Sequence, residues 1–233
     1  MTRGPAEPAD PARPGERAGP ALRWDFLGRA RYGAALARQH QVRDAVLAGQ
    51  GAPALLLCEH PPVITLGRAA APGNVLTSAA QLARLGVEVV QIERGGDVTY
   101  HGPGQLMIYP VIPIVSALAF LARVGEVLAA VSERFGVPGA AFRERPAGLW
   151  LGEDKLAACG IHLRRGVVLH GWAFNVDTPE AAWRHIRPCG GEAPQVSLCQ
   201  ARARRGLVPV SVAAVAAQVG PALATSLLAV MRR

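Results

Sequence analysis

One lysine stands among the basic side chains of this chain, and it is a candidate proton carrier. Lys and Arg together number 25, and Lys155 is the single lysine among them. A guanidinium stays charged at any working pH, whereas a compact ammonium can release its proton. Lys155 is therefore a candidate for acid–base chemistry. The alternative interpretation is an exposed lysine at a hairpin turn.

The strongest candidate nucleophile is a cysteine on a predicted tight turn. Cys189 lies within the segment 187–191, whose flanking Pro and Gly residues disfavour regular structure and leave the thiol exposed. Cys58 and Cys159 fall in apolar or strand-like runs and are interpreted as buried small hydrophobes, and nothing near Cys199 marks it as reactive. No CxxC pair is present, so the sequence indicates free thiols in a reducing compartment.

A cysteine thiol needs activation before it can act as a nucleophile. At its ordinary pKa of ~8.5 about 3% is thiolate at pH 7, and a pKa of about 6 would raise this to ~90%, a gain of ~2 kcal/mol. Lys155 could supply the cation that favours the thiolate. His185, four residues before Cys189, and His101 are alternative partners, because Cys with His is the commoner pairing.

A glycine-rich segment, Glu93–Gln105, carries the third candidate feature. Four glycines and one proline set between two predicted strands allow backbone N–H groups to approach a ligand closely. The segment lacks the Gly-Lys-Ser/Thr of a phosphate-binding loop, and no helix follows it directly as in a dinucleotide site. The glycines alone are weak evidence for a specific ligand.

Helices and short strands must position these residues. Helical spacing and breakers predict helices over Arg29–Ala48, Ser116–Phe135 and Ser211–Arg233, the last broken or kinked at Gly220-Pro221. Apolar or β-rich runs predict strands at Ala54–Cys58, Val63–Leu66, Val87–Ile92, Leu106–Ile112, Leu149–Leu151, Leu156–Leu163 and Val167–Val176. The last three form a predicted antiparallel meander with Lys155 at the beginning of its second strand. Because regular βαβ alternation is missing from the pattern, the sequence favours an α+β fold.

Length and composition bound the remaining possibilities. At 233 residues and 50% hydrophobic content, we expect a flexible Pro/Ala/Gly/Arg-rich tail at 1–22 and a single domain at 23–233. The longest apolar run, Leu106–Val115, is too short to span a bilayer and no secretory h-region precedes it, which favours a cytoplasmic protein without a membrane partner. The net charge of +8 favours acidic partners, but aromatic residues at 5% and the lack of a recognised binding motif argue against nucleic acid.

Several motifs together make a specific resemblance. The chain resembles lipoyl (octanoyl) transferases in the order and spacing of five segments, Arg94–Gln105, Gly152–Lys155, Arg164–Gly171, Phe174–Val176 and Pro188–Gly190. The match runs from about residue 24 into the C-terminal region. It implies a fold similar to the catalytic domains of lipoate and biotin protein ligases, with a mixed, largely antiparallel sheet flanked by helices.

The resemblance also implies an activity. Cys189 would take an octanoyl group from octanoyl-acyl carrier protein as a thioester and pass it to a lysine of lipoyl domains in 2-oxoacid dehydrogenase complexes and glycine cleavage H protein. Lys155 would lower the pKa of Cys189, and no metal or nucleotide cofactor is implied. The segments that would line the acyl site comprise Arg94, Gly95, Gly96, Asp97, Val98, Thr99, Tyr100, His101, Ala158, Cys159, Gly160, Gly171, Trp172 and Ala173.

Further expectations follow from the resemblance and from the residues themselves. Many relatives carry Ser-Leu-Gly at positions 158–160, so Cys159 is expected close to the acyl chain. We hypothesise that Lys155 also accepts the proton of the incoming amine after the thiolate is acylated. The alternative function is an ATP-dependent lipoate-protein ligase of the same fold, which would need no nucleophilic thiol. The basic run 202–205 suits an acidic carrier protein or is a solvated face.

Overall fold

A computed structural model describes residues 22–188 and 193–232. Its strands are β1 Arg23–Arg29, β2 Ala54–Glu59, β3 Val63–Leu66, β4 Glu88–Gln91, β5 Val98–His101, β6 Gln105–Val111, β7 Ala140–Glu144, β8 Ala147–Leu151, β9 Asp154–Arg164 and β10 Val167–Asn175. Its α-helices are α1 Tyr32–Leu47, α2 Ala79–Arg84, α3 Ala117–Arg134, α4 Leu198–Ala203 and α5 Val212–Ser226. The predicted tail falls outside the described residues except for Leu22, which is buried.

The main sheet has seven strands in the order β1-β2-β6-β10-β9-β8-β7. The β1–β2 pair is parallel, and every other described pair in this sheet is antiparallel. β6 and β10 are buried along their whole length, which matches their continuous apolar sequences. The fold is therefore α+β with a largely antiparallel sheet, as the sequence predicts.

A second sheet of three strands, in the order β4-β3-β5, includes part of the glycine-rich segment. β5 occupies the middle of that segment and pairs antiparallel with β3, so that Thr99 lies opposite Thr65 and His101 opposite Val63. The segment Glu93–Gln105, which the sequence placed between two predicted strands, therefore contains a strand that was not predicted. Val98 and Tyr100 provide the apolar packing that stabilises a strand despite the neighbouring glycines.

Helices α3 and α5 cover one face of the main sheet, and α1 covers the other. The larger core joins Phe120, Val124 and Leu128 of α3 to Val215 and Leu223 of α5. Each such side chain contributes about 1.5–3 kcal/mol when fully buried. α1 packs with β6 and β10 through a smaller cluster that includes Ala35 and Val42.

The sequence predicts a break or a kink at Gly220-Pro221, and the C-terminal helix is not broken there. α5 continues through Pro221 to Ser226. Gly220 allows close packing, because a Cβ there would lie 2.5 Å from the Trp24 ring. Among the described residues, Val212–Ala229 is long and apolar enough to cross a membrane by length and composition alone. Its residues Val215 and Leu223 belong to the larger core, which explains the apolar sequence.

Candidate functional site

Residues of both sheets line one cavity of ≈ 360 Å³. β9 and β10 pair in a register that sets Ala158 opposite Ala173 and Gly160 opposite Gly171, so small residues meet at the cavity wall. Most residues predicted to form the site line this cavity, namely Arg94, Gly95, Gly96, Thr99, His101, Lys155, Ala158, Cys159, Gly160, Gly171, Trp172 and Ala173. The small side chains of these strands therefore leave room for the cavity.

Three predicted acyl-site residues do not line the cavity. Val98 and Tyr100 point into an apolar cluster, because alternate residues of β5 face opposite sides. The Asp97 carboxylate accepts hydrogen bonds from the backbone N–H groups of Ala71 at 3.1 Å and Val98 at 2.7 Å. Their positions indicate that these residues support the glycine-rich segment rather than contact a ligand.

Cys189 lies outside the described residues, but both flanks of segment 189–192 are described. Pro188 on one side and Ala193 on the other line the same cavity as Lys155. Residues that follow this segment are hydrogen-bonded to Lys155. The Lys155 N–H donates to the Pro194 carbonyl at 2.8 Å, and the Lys155 carbonyl accepts from the Val196 N–H at 3.1 Å. Lys155 and the described residues on either side of segment 189–192 therefore lie close to one another.

Lys155 is a buried residue of β9 and not an exposed residue of a turn. It is 7% exposed, and its Nζ lies 5.1 Å from the centroid of the Trp150 ring, which is within the range of a cation–π contact. Gly148 lies directly beside the side chain, because a Cβ there would sit 2.7 Å from Lys155 Cε. Trp150 and Gly148 therefore fix the position of the ammonium.

His101 sits in a buried hydrogen-bond network, and its burial keeps the ring neutral. Gln105 Oε1 can only accept, so His101 Nδ1 donates to it at 2.8 Å, and Nε2 is left to accept from the Thr65 hydroxyl at 3.3 Å. The Thr65 oxygen in turn accepts from Arg94 Nε at 3.3 Å and Nη2 at 3.0 Å. Burial, with smaller contributions from His60 and nearby cations, lowers the pKa of His101 to about 3.

The network extends from Arg94 to the backbone of Lys155. Gln105 Nε2 donates to Asn175 Oδ1 at 2.9 Å, and Asn175 Nδ2 donates to the Lys155 carbonyl at 3.5 Å. Both side chains are buried. A continuous series of hydrogen bonds therefore connects the glycine-rich segment to β9, the strand that carries the Lys155 ammonium.

The two histidines proposed from the sequence as alternative bases have other environments. Both ring nitrogens of His101 are engaged, and its lowered pKa leaves it neutral across the physiological range. His185 does not line the cavity, and its Nδ1 lies 3.0 Å from the Thr77 hydroxyl beside a separate surface groove. The environments of His101 and His185 therefore do not favour either histidine as a general base at the cavity.

Polar residues that the sequence did not single out also line the cavity. Tyr32 and Tyr109 face it together with His170, whose Nδ1 lies 3.3 Å from the Tyr32 hydroxyl. His170 has a φ of 60, an unusual conformation for a residue other than glycine, and burial lowers its pKa to about 4. Glu93 lies 3.7 Å from His170 Nε2 and opposes this shift. The sequence signal for His170 was its position in the motif Arg164–Gly171, directly before Gly171.

The remaining cysteines differ in accessibility. Burial raises the pKa of Cys58 to about 12. Burial also raises the pKa of Cys199, whose sulfur accepts from the Val210 N–H at 3.3 Å. Cys159 lines the cavity, in line with the expected proximity to a ligand, and is not fully buried. No group of three or more His, Cys, Asp or Glu residues within 22–188 and 193–232 is arranged to hold a metal ion.

Comparisons with known proteins show which family the chain is similar to. The family model described as "Lipoyl protein ligase A/B catalytic domain" matches residues 31–223. An octanoyltransferase of Geobacter metallireducens is 44% identical over 170 residues, which cover 70% of this chain and 75% of the relative.

Solved structures share the fold at low sequence identity. A lipoate-protein ligase A bound with ATP has a TM-score of 0.72 at 15% identity and covers 89% of this chain and 86% of its own. A biotin protein ligase from Aquifex aeolicus in complex with biotin and ATP has a TM-score of 0.50 at 12% identity, over 88% of this chain and 70% of its own. The long family match and the close relative together establish that the chain belongs to the lipoyl protein ligase A/B catalytic domain family.

Proposed function

We propose that the chain is an octanoyltransferase that moves an octanoyl group from acyl carrier protein, through a thioester on Cys189, to a lysine of lipoyl-domain proteins. The observation that carries the proposal is that Lys155 lines one cavity together with Pro188 and Ala193, the described residues on either side of segment 189–192. The name of the Geobacter metallireducens relative supports the acyl group. The small and apolar residues of β9 and β10 suit an alkyl chain.

The first half-reaction forms the thioester. The Cys189 thiolate attacks the carbonyl carbon of the carrier thioester, a new C–S bond forms, and the bond to the carrier sulfur breaks. The Lys155 ammonium favours the thiolate before attack and gives its proton to the departing carrier thiolate. The acyl group is held by residues 94–101, 158–160 and 171–173. Those that line the cavity contact it directly. Asp97, Val98 and Tyr100 support the glycine-rich segment instead. Orientation supplies most of the acceleration, since a thioester needs little further activation.

The second half-reaction makes the amide. The neutral amine of the acceptor lysine attacks the Cys189 thioester, a C–N bond forms, and the C–S bond breaks. The nitrogen must lose one proton, and Lys155, neutral after the first step, accepts it.

Intact-mass spectrometry tests the proposal. The protein is mixed with octanoyl-acyl carrier protein without ATP, and the expected result is one hydroxylamine-labile octanoyl adduct that peptide mapping assigns to Cys189. The Cys189→Ser variant should not form that adduct, whereas Cys159→Ser, a matched change in the cavity wall, should retain it. Modification that requires ATP and free octanoate would instead identify a ligase.

Arginine at position 155 separates the two roles of the lysine. Lys155→Arg keeps a cation, so thioester formation should persist at a reduced rate, but guanidinium cannot accept a proton and amide formation should fall by about 100-fold. Rapid-quench mass spectrometry measures the two steps separately. Full turnover by this variant would contradict the proton-acceptor role, and Lys155→Met, which removes the cation, should slow both steps.

A further inference from the structure

One row of facing residues crosses four strands of the main sheet along the cavity. Gly148 of β8 lies opposite Ala158 of β9. Ala158 lies opposite Ala173 of β10, which lies opposite Met107 of β6. Ala158, Ala173 and Met107 line the cavity. This row, called the cross-strand row below, therefore has little side-chain volume from β8 to β10 and a long side chain at β6.

The Lys155 ammonium marks one end of the cross-strand row. A Cβ on Gly148 would lie 2.7 Å from Lys155 Cε and 3.5 Å from its Nζ. Lys155, Pro188 and Ala193 line the same cavity, so the proposed thioester chemistry belongs to this end. The acyl carbonyl then lies beside Lys155, and the alkyl chain extends along the row toward Met107.

Met107 lies at the other end of the cross-strand row. It lines the cavity and is only 3% exposed. The next residue in register is Cys58 of β2, which is fully buried and does not line the cavity. Met107 and Cys58 both belong to the smaller core cluster that includes Ala35 of α1. The Met107 side chain therefore separates the cavity from that core.

The tyrosine hydroxyl groups that face the cavity have partners of their own. The Tyr109 hydroxyl lies 2.8 Å from His60 Nε2, and the Tyr32 hydroxyl lies 3.3 Å from His170 Nδ1. Buried polar groups keep such partners because an unpaired group is costly. Met107 therefore offers an apolar thioether to the end of an alkyl chain, and its length and flexibility let it fill the remaining space.

The length of the cross-strand row suits an octanoyl chain. Neighbouring strands are about 4.8 Å apart, so about 14 Å separate the Cα atoms of Gly148 and Met107. Carbon atoms in contact lie about 4 Å apart, which leaves about 10 Å for the chain. An extended chain advances about 1.2 Å per bond, so octanoyl spans about 8 Å and dodecanoyl about 13 Å. The row therefore holds the shorter chain and is too short for the longer one.

We propose that Met107 is a specificity-determining residue whose side chain ends the acyl cavity and sets the longest chain that the cavity accepts. This inference rests on the proposed function, which places the acyl carbonyl beside Lys155. Ala158 and Ala173 keep the path of the chain open. A longer chain would have to displace Met107 from the smaller core cluster, and overpacking of that kind is unfavourable.

Competition between two donors provides the test. The parent and Met107→Ala are each mixed with equal amounts of octanoyl- and decanoyl-acyl carrier protein, and intact-mass spectrometry measures the ratio of the two thioester adducts at early times. Met107→Ala removes the side chain beyond Cβ, so the decanoyl to octanoyl ratio should rise by about 10-fold or more. The milder Met107→Val should give an intermediate ratio. Partial unfolding of a variant does not change this ratio, because both donors compete for the same folded molecules.

Leu106→Ala is the matched control. Leu106 precedes Met107 on β6, is fully buried, belongs to the larger core and does not line the cavity. The two alanine substitutions remove the same number of heavy atoms. Leu106→Ala should lower stability yet leave the ratio of adducts within about twofold of the parent, because alternate residues of a strand face opposite sides.

Binding of free acids gives a second measurement that needs no thioester chemistry. Trp150 and Trp172 line the cavity, so tryptophan fluorescence can follow titration with octanoate and with decanoate. Met107→Ala should shift the ratio of the two dissociation constants toward decanoate, as in the competition experiment. An unchanged chain-length preference in Met107→Ala, or an equal shift in Leu106→Ala, would overturn the inference about Met107. Failure of the parent to form any acyl adduct, with the predicted shift in acid binding, would instead refute the proposed function and leave the role of Met107 supported.

Discussion

Thr65→Val removes the hydroxyl group that connects Arg94 to His101. Thr65 is fully buried, and its oxygen accepts two N–H groups of Arg94 while its proton goes to His101 Nε2. A hydrogen bond to a charged group contributes about 1.5–3 kcal/mol, and a buried acceptor left without a donor costs about 1–3 kcal/mol. Arg94 keeps the carbonyls of Thr65 and Gly95 as acceptors, so we expect a loss of about 3 kcal/mol in the free energy of unfolding.

Thr65→Ser is the matched control, because it keeps the hydroxyl and removes one methyl group, at about 1 kcal/mol. Urea unfolding measures both variants, and the slope against denaturant should stay constant if both unfold in two states. Thioester formation should also slow more in the valine variant, since the Arg94 side chain lines the cavity. Equal stability of the two variants would refute the network as a stabilising unit.

Three further outcomes are expected. Because His101 and His170 have folded pKa values of about 3 and about 4, below the usual 6.5, the unfolded chain takes up protons first as the pH falls. The contribution of each neutral histidine to the free energy of unfolding is therefore complete above pH ~6.5. Urea unfolding should show this free energy falling by about 2 kcal/mol per histidine between pH 7 and 5, and a flat profile would contradict this. Gly104→Ala should destabilise by more than about 1 kcal/mol, because φ is 84 and a Cβ would overlap the backbone of residue 177, whereas Gly73→Ala meets no neighbour and should be nearly neutral in thermal unfolding. Cys58 should resist iodoacetamide in the native protein, since burial raises its pKa to about 12, and rapid labelling detected by peptide mapping would count against the described core.

Local sequence patterns predicted the elements whose residues make one consistent pattern. The predicted strand Val63–Leu66 has the observed bounds of β3, and the predicted bounds of α3 and β10 agree within one residue at each end. These segments are strongly apolar or carry clear breakers at both ends. Their secondary structure therefore depends mainly on local chemistry.

Other features of the fold depend on partners distant in the chain, and the sequence did not predict them. β1 has mostly exposed or half-buried residues, and its strand conformation comes from parallel pairing with β2. β5 forms within a glycine-rich run because β3 lies beside it. α5 continues through a proline since its flanking residues pack into the core.

Residue types and motif order alone determined the class of chemistry. A single lysine, a cysteine between Pro and Gly, and five ordered motifs predicted the family that the comparisons establish. The roles of Cys189 and Lys155 remain proposals that the acylation experiments test. Side-chain chemistry is a property of composition, so the sequence can specify it without long-range contacts.

The tertiary structure decided which groups share an environment. Tyr32 and His170 are 138 residues apart, yet their side chains meet in the cavity through the packing of α1 against β10. The neutrality of His101 and the burial of Lys155 likewise depend on strand register and helix packing. Burial and distance set charge state and contact, and no local pattern encodes either quantity.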